Sequence, residues 1–328
     1  MTVPAVSWRT ARERALLALE REKSAALRAE AAEAICDAAA DAPRDARQDF
    51  AADVVRLLND TQDEVRCAGL ALATEVLEPV EAKDVLVRNM SDKAHRVRVE
   101  AVGRLADLAL PEARGALAAA LEDDIFPVRF EAARGMVALH HSAGLETLLT
   151  ALEDVDLRFR AAAALAQLGN KDALPKLKKT FNGWFLPAFD KTQLAGALAQ
   201  LGDTAGIEHL FKRAGKGWSM DRAMAIELLG EVKAPGAKER LLEILRTPTD
   251  ECRGAAARGL GRLGDASVFS DVAKVLDEEL VSDDVLLDAA EGLLRLDAPQ
   301  ATARLARVPL ADDESKAELA AMLKEFSA

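Results

Sequence analysis

A short motif returns along this chain at a nearly constant interval. Val65-Arg66 is followed by Val97-Arg98, Val128-Arg129 and Leu157-Arg158, and then by Lys191, Arg222 and Arg253 in the same basic position. The basic residues are separated by 32, 31, 29, 33, 31 and 31 residues. A period of that length belongs to stacked helix pairs, in which each unit buries its apolar face against its neighbours alone. Each unit reads alike. RQDFAADVVRLL, from Arg47 to Leu58, carries apolar residues at helical spacing, Asn59-Asp60 interrupts it, and DEVRCAGLALATEVL gives a second helix from Asp63 to Leu77. The second helices run into Leu168-Gly169-Asn170, Leu201-Gly202-Asp203, Leu229-Gly230-Glu231 and Leu263-Gly264-Asp265. Glycine there is expected as a left-handed C-cap, with the polar residue capping the next helix.

Composition fits such an array. Half of the residues are hydrophobic, only 4% are aromatic and tyrosine is absent, so the core must be built from Ala, Leu and Val. No Pro/Gly/Ser-rich linker divides the 328 residues. One array is therefore expected, with a divergent N-terminal pair over 1–44, regular repeats over 45–299 and a last pair over 300–328.

The net charge of −12 opposes nucleic-acid wrapping and adhesion to anionic membranes. The charge is unevenly spread. Lys171 to Arg246 holds 13 Lys and Arg against 9 Asp and Glu, an excess of +4, which leaves −16 on the remainder. The N-terminus scatters charges from Arg9 onward and does not read as a secretory signal, and no apolar run approaches the ~20 residues of a membrane span. Cys36, Cys67 and Cys252 stand among alanines without CxxC spacing, as buried thiols of a reducing compartment do. The cytoplasm is the expected location.

LLNDTQDEVRCAGLAL, ALEDDIFPVRFEAARGMVAL, ALEDVDLRFRAAAALAQLGN and ECRGAAARGLGRLGD resemble the short bacterial HEAT repeat, as do the similar units of the phycobilin lyases. That resemblance implies an all-α, right-handed α-solenoid of about nine stacked antiparallel helix pairs, with the second helices on the concave face. It also implies that turn aspartates and helix-start arginines form a hydrogen-bonded ladder between repeats. Acids stand six residues before the basic residue in three units, Asp60 before Arg66, Asp92 before Arg98 and Asp123 before Arg129, and Arg158 continues the basic series. In the same register Phe185, Lys216 and Thr247 precede Lys191, Arg222 and Arg253, so the acidic rung is expected to be missing there.

Those repeats lie in the net-positive segment and hold Phe181, Trp184, Phe185, Phe189, Phe211 and Trp218, 6 of the 13 aromatic residues. Lys178, Lys179, Lys212, Arg213 and Lys216 surround them. Two readings stay open: aromatic packing beneath a solvated basic face, or aromatic anchors ringed by charge that dock a protein partner with an acidic segment. The second makes Lys178, Lys179, Trp184, Phe185, Lys212, Arg213, Lys216 and Trp218 the candidate partner-binding residues.

No catalytic motif stands out. His95, His140, His141 and His209 lack paired metal spacing, and no GxSxG elbow or Walker loop is present. Gly259, Gly261 and Gly264 fit the spaced-glycine string but lie at the end of an Ala-rich helix with no strand before it. Trp184, Trp218, Asp221 and Arg222 match, by residue type only, the residues that HEAT-like alkylpurine DNA glycosylases use on DNA. The sequence is thus expected to encode a protein-docking adaptor without catalytic activity, metal or cofactor, with nucleic-acid or lyase-type HEAT proteins as the alternatives.

Overall fold

In the computed structural model, residues 7–326 are described except 216, 218 and 280. Every regular element among them is helical and no strand occurs. The chain divides after Ala151 into two compact units, each an α-solenoid of stacked helix pairs.

In the first unit the pairs are Trp8–Arg21 with Ala25–Ala40, Ala51–Leu58 with Asp63–Val76, Pro79–Asn89 with His95–Asp107, and Arg114–Ala120 with Phe126–Ala138. The second member of each pair packs on the second member of the next. Small residues allow this approach. Ala32, Ala73, Ala101, Ala132 and Ala133 are fully buried, and Ile35, Leu70, Leu72, Leu105 and Met136 fill the space between them.

The second unit repeats the scheme from Arg158–Leu168 through Leu174–Phe181 with Ala188–Gln200, Thr204–Arg213 with Met220–Glu231, Ala237–Leu245 with Arg253–Leu263, Phe269–Ala273 with Asp283–Leu296, and Ala298–Leu305 with Asp313–Glu325. Gly169, Gly202 and Gly264 take left-handed φ values of 68°, 84° and 73° at the ends of their helices. Gly230 departs from that expectation. It lies inside the Met220–Glu231 helix, and a Cβ there would fall 1.9 Å from the carbonyl oxygen of Gly259. The two glycines let adjacent second helices touch backbone to backbone. Gly261 stands in the same relation to Gly292, where an added Cβ would fall 2.7 Å from the Gly292 Cα, so the spaced-glycine string is a packing stripe ended by the cap at Gly264. No helix among the described residues is long and apolar enough to cross a membrane.

Candidate functional site

The recurring arginines join successive turns. Arg66 donates to both carboxylate oxygens of Asp92 at 2.8 Å and to the backbone carbonyls of Asp60 and Thr61 at 3.0 and 3.1 Å. Arg98 does the same with Asp123 at 2.9 and 3.1 Å and the Asp92 carbonyl at 3.2 Å. Arg129 holds the carbonyls of Asp123 and Asp124 at 2.7 and 3.1 Å. Asp60 itself receives Arg28 from the preceding repeat. Burial opposes ionisation of Asp92, but the hydrogen bonds from Arg66 and the Ala94 N–H outweigh it and hold the carboxyl below its ordinary range.

This geometry changes the meaning of the register. The position six residues before Arg66, Arg98, Arg129 and Arg158 contributes a backbone carbonyl, available from any residue, Arg222 and Arg253 use the carbonyls of Gly215 and Leu245 instead, and a carboxylate, where one is taken, comes from the following turn. Arg158 therefore pairs with Asp190 at 3.1 Å, Arg222 with Asp250 at 2.8 Å twice, and Arg253 with Glu278 at 2.6 and 2.8 Å. Of the rungs expected to be missing, the one at Phe185 is supplied by Asp190 and the one at Thr247 by Asp250. Lys191 is different: its ammonium lies over the Phe181 ring, 5.1 Å from the centroid.

The aromatic cluster separates into buried and exposed members. Phe181 is buried, with the His209 ring edge-on to it at 5.3 Å, and Phe189 stacks on Phe159 at 5.1 Å. Trp184 and Phe185 are 90% and 100% exposed on the loop between Leu174–Phe181 and Ala188–Gln200. Phe185 has a φ of 61°, which costs a bulky L-residue about 1–2 kcal/mol. The loop places both rings beside a cleft of ≈ 560 Å³ whose other walls include Val155, itself 68% exposed, Arg158, Lys176 and Lys179. Lys176 pairs with Glu153.

Lys178 points elsewhere and binds Asp203 at 2.5 Å. Lys212 and Arg213 line a second cleft of ≈ 350 Å³ with Lys191 and His209, sharing only Leu186 with the first. Lys216 and Trp218 lie outside the described residues. Asp221 and Arg222 are buried and tied to Arg213 and Asp250, so neither stands free at the surface. Burial disfavours the Asp221 charge, yet hydrogen bonds from Ser219 and Arg213 hold its carboxyl below the ordinary value. The role of His209 had no signal in its own sequence neighbourhood. It meets Lys191 only because two helices pack side by side.

Cys36 and Cys67 border a shallow cleft in the first unit, and burial pushes both thiols up to about 11. No cluster of three or more His, Cys, Asp or Glu that could hold a metal ion occurs among the described residues.

The family model for HEAT repeats matches residues 207–293, and that for the PBS lyase HEAT-like repeat matches residues 157–182. Over those residues the chain carries HEAT repeats. No curated protein matches the sequence. Among solved structures, the complex of CpcE and CpcF of phycocyanin lyase from Nostoc sp. PCC7120 is similar at 22% identity, over 76% of this chain and 95% of that one, with a TM-score of 0.47. An engineered protein is similar at 19% identity over 97% and 99% with a TM-score of 0.41, and human deoxyhypusine hydroxylase in complex with glycerol at 18% over 76% and 97% with 0.33.

The lyase repeat match corrects the expectation of a chain without catalytic activity. Residues 157–182 carry a repeat type described by a lyase, and they include Arg158, Lys176 and Lys179 of the larger cleft. In a helical-repeat array, groups that share a cleft sit on different repeats, so catalytic residues there need not form a short motif in the sequence.

Proposed function

We propose that the cleft beside Trp184 and Phe185 docks an acidic, apolar segment of a partner protein. The exposure of Phe185 in a left-handed conformation carries this reading. A fully solvated ring gains nothing from burial within the chain, and the backbone strain beneath it goes uncompensated unless something covers it. Rigid aromatic anchors surrounded by charge are the usual composition of a binding hot spot. The acidic character of the partner follows from the +4 excess between Lys171 and Arg246 on an otherwise acidic chain, and from Lys179, which no acid pairs among the described residues.

A direct test is fluorescence anisotropy with three labelled peptides: one acidic with Leu and Phe, one acidic without them, and one basic with them. The first should bind, and Lys176→Glu with Lys179→Glu should slow its association, an effect that shrinks as salt rises. Equal binding of the basic peptide would remove the proposal.

A lyase-type role for the same cleft is favoured by one observation, that the PBS lyase HEAT-like repeat falls on residues 157–182. In that reading the docked protein is the substrate, and the intact mass of the partner changes on incubation. An unchanged mass would remove the lyase reading and leave the docking proposal standing.

A further inference from the structure

We propose that the cleft lined by Lys191, His209, Lys212 and Arg213 binds a tetrahedral dianion, either a free inorganic oxyanion or the phosphate of a small phosphomonoester. The inference goes beyond the docking proposal and stands without it.

The lining supplies donors and positive charge, with Leu186 and Ala188 as its apolar wall and no carboxylate among the residues that form it. Arg213 is neutralised by Asp221 across the helix contact, whereas no acid pairs with Lys191 or Lys212 among the described residues. Two uncompensated positive charges therefore face one cleft of ≈ 350 Å³, which a dianion matches and a single carboxylate does not.

Two nitrogen atoms of the lining residues also lack a hydrogen-bond partner. His209 Nε2 and Arg213 Nε are buried and unsatisfied among the described residues, a state that costs free energy unless a ligand or water accepts from them. The lysine and imidazole positions are also fixed before any ligand arrives. Phe181 holds Lys191 over its face, 5.1 Å from the centroid, and packs with His209 in a T-shaped pair at 5.3 Å. Lys191 from one helix and His209, Lys212 and Arg213 from the adjacent one thus line a single cleft with side chains able to donate to the several acceptor oxygens of one tetrahedral ion.

His209 makes the site sensitive to pH. The groups that face it are Lys191 on one helix, Lys212 and Arg213 on its own, and Asp221 on the next; burial first, and then the three cations, push the imidazole below its ordinary value, with Asp221 opposing. A bound dianion screens those cations and favours the imidazolium, so anion binding takes up a proton.

Sulfate is the probe, because it remains a dianion throughout, titrated at constant ionic strength and followed by the His209 ring resonances and by calorimetry. Sulfate should bind saturably at one site, and its affinity should rise as the pH falls from about 8 to about 5. Lys191→Met with Lys212→Met should weaken binding about tenfold or more. His209→Gln should keep binding at about pH 8 but lose the pH dependence. Absence of saturation, or a double variant that binds as wild type does, would overturn the proposal, as would a pH dependence that survives in His209→Gln. At about pH 8, where both probes are dianions, a tighter fit of glycerol phosphate than of sulfate assigns the phosphomonoester, and equal affinity assigns the free ion. Succinate binding as tightly as either would refute the tetrahedral assignment.

Discussion

Arg222→Met isolates one rung of the inter-repeat ladder. Arg222 is 4% exposed and donates to both oxygens of Asp250 at 2.8 Å, with a further bond to the Gly215 carbonyl. Methionine keeps most of the apolar volume but leaves Asp250 without its counter-charge. Breaking a fully buried pair by removing one partner costs about 3–5 kcal/mol. The Asp250 side chain retains 17% exposure, so water recovers part of the loss and about 2–3 kcal/mol is expected at neutral pH. The sign of the pH dependence follows from the same pair. The hydrogen bond from Arg222, working against burial, holds the Asp250 carboxyl below its ordinary value. A carboxyl depressed in the folded state stabilises in full above its unfolded pKa, near about 4, and loses that contribution as the pH falls through the folded value. Urea denaturation of wild type and variant at about pH 7 and in acid should therefore show a gap that closes below about pH 4. Hydrogen exchange should lose protection chiefly in Thr204–Arg213, Met220–Glu231, Ala237–Leu245 and Arg253–Leu263. A gap that persists unchanged in acid, or equal loss of protection in the unit before Ala151, would refute the reasoning.

Other consequences are equally open to measurement. Gly230→Ala places a Cβ 1.9 Å from the Gly259 oxygen and should destabilise by about 1–3 kcal/mol or more in a denaturant melt, whereas Gly115→Ala, with no atom within 4 Å, should be neutral or stabilising. Phe185→Gly removes left-handed strain and no buried surface, so its melting temperature should equal or exceed that of wild type while binding of the acidic-apolar peptide is lost. Iodoacetamide should label the half-buried Cys36 and Cys67 far more slowly than it labels glutathione at about pH 8, with rates that climb as the pH approaches about 11; labelling at the glutathione rate would contradict the raised thiols.

The period of the basic residues was enough to read stacked helix pairs, because each repeat must present the same group at the same turn. The direction of the ladder was not legible. Asp60 precedes Arg66 by six residues, yet Arg66 uses the Asp60 carbonyl and takes its carboxylate from Asp92, a choice made by the stacking of turns. Gly230 and Gly169 look alike as Leu-Gly-polar triplets, but only the packing of one helix on Gly259 shows that Gly230 is there for contact. Composition placed aromatics and lysines in one segment without sorting them: Phe181 is interior, Phe185 is solvated, and Lys178 serves Asp203. The basic cleft escaped for the same reason. One trace of it was visible, since Lys191 stands where the other repeats carry arginine, and that residue faces His209 instead of a carboxylate.

The proposed anchor role of Trp184 and Phe185 can be read from a single fluorophore. With Trp8→Phe and Trp218→Phe, Trp184 remains as the single tryptophan reporter. Its emission should begin at the wavelength of a solvated indole and move to the blue, saturably, as the acidic-apolar peptide is added, with Phe185→Gly abolishing the change. An emission that begins blue-shifted, or stays at the solvated wavelength while the peptide binds, would contradict an exposed Trp184 that the partner covers.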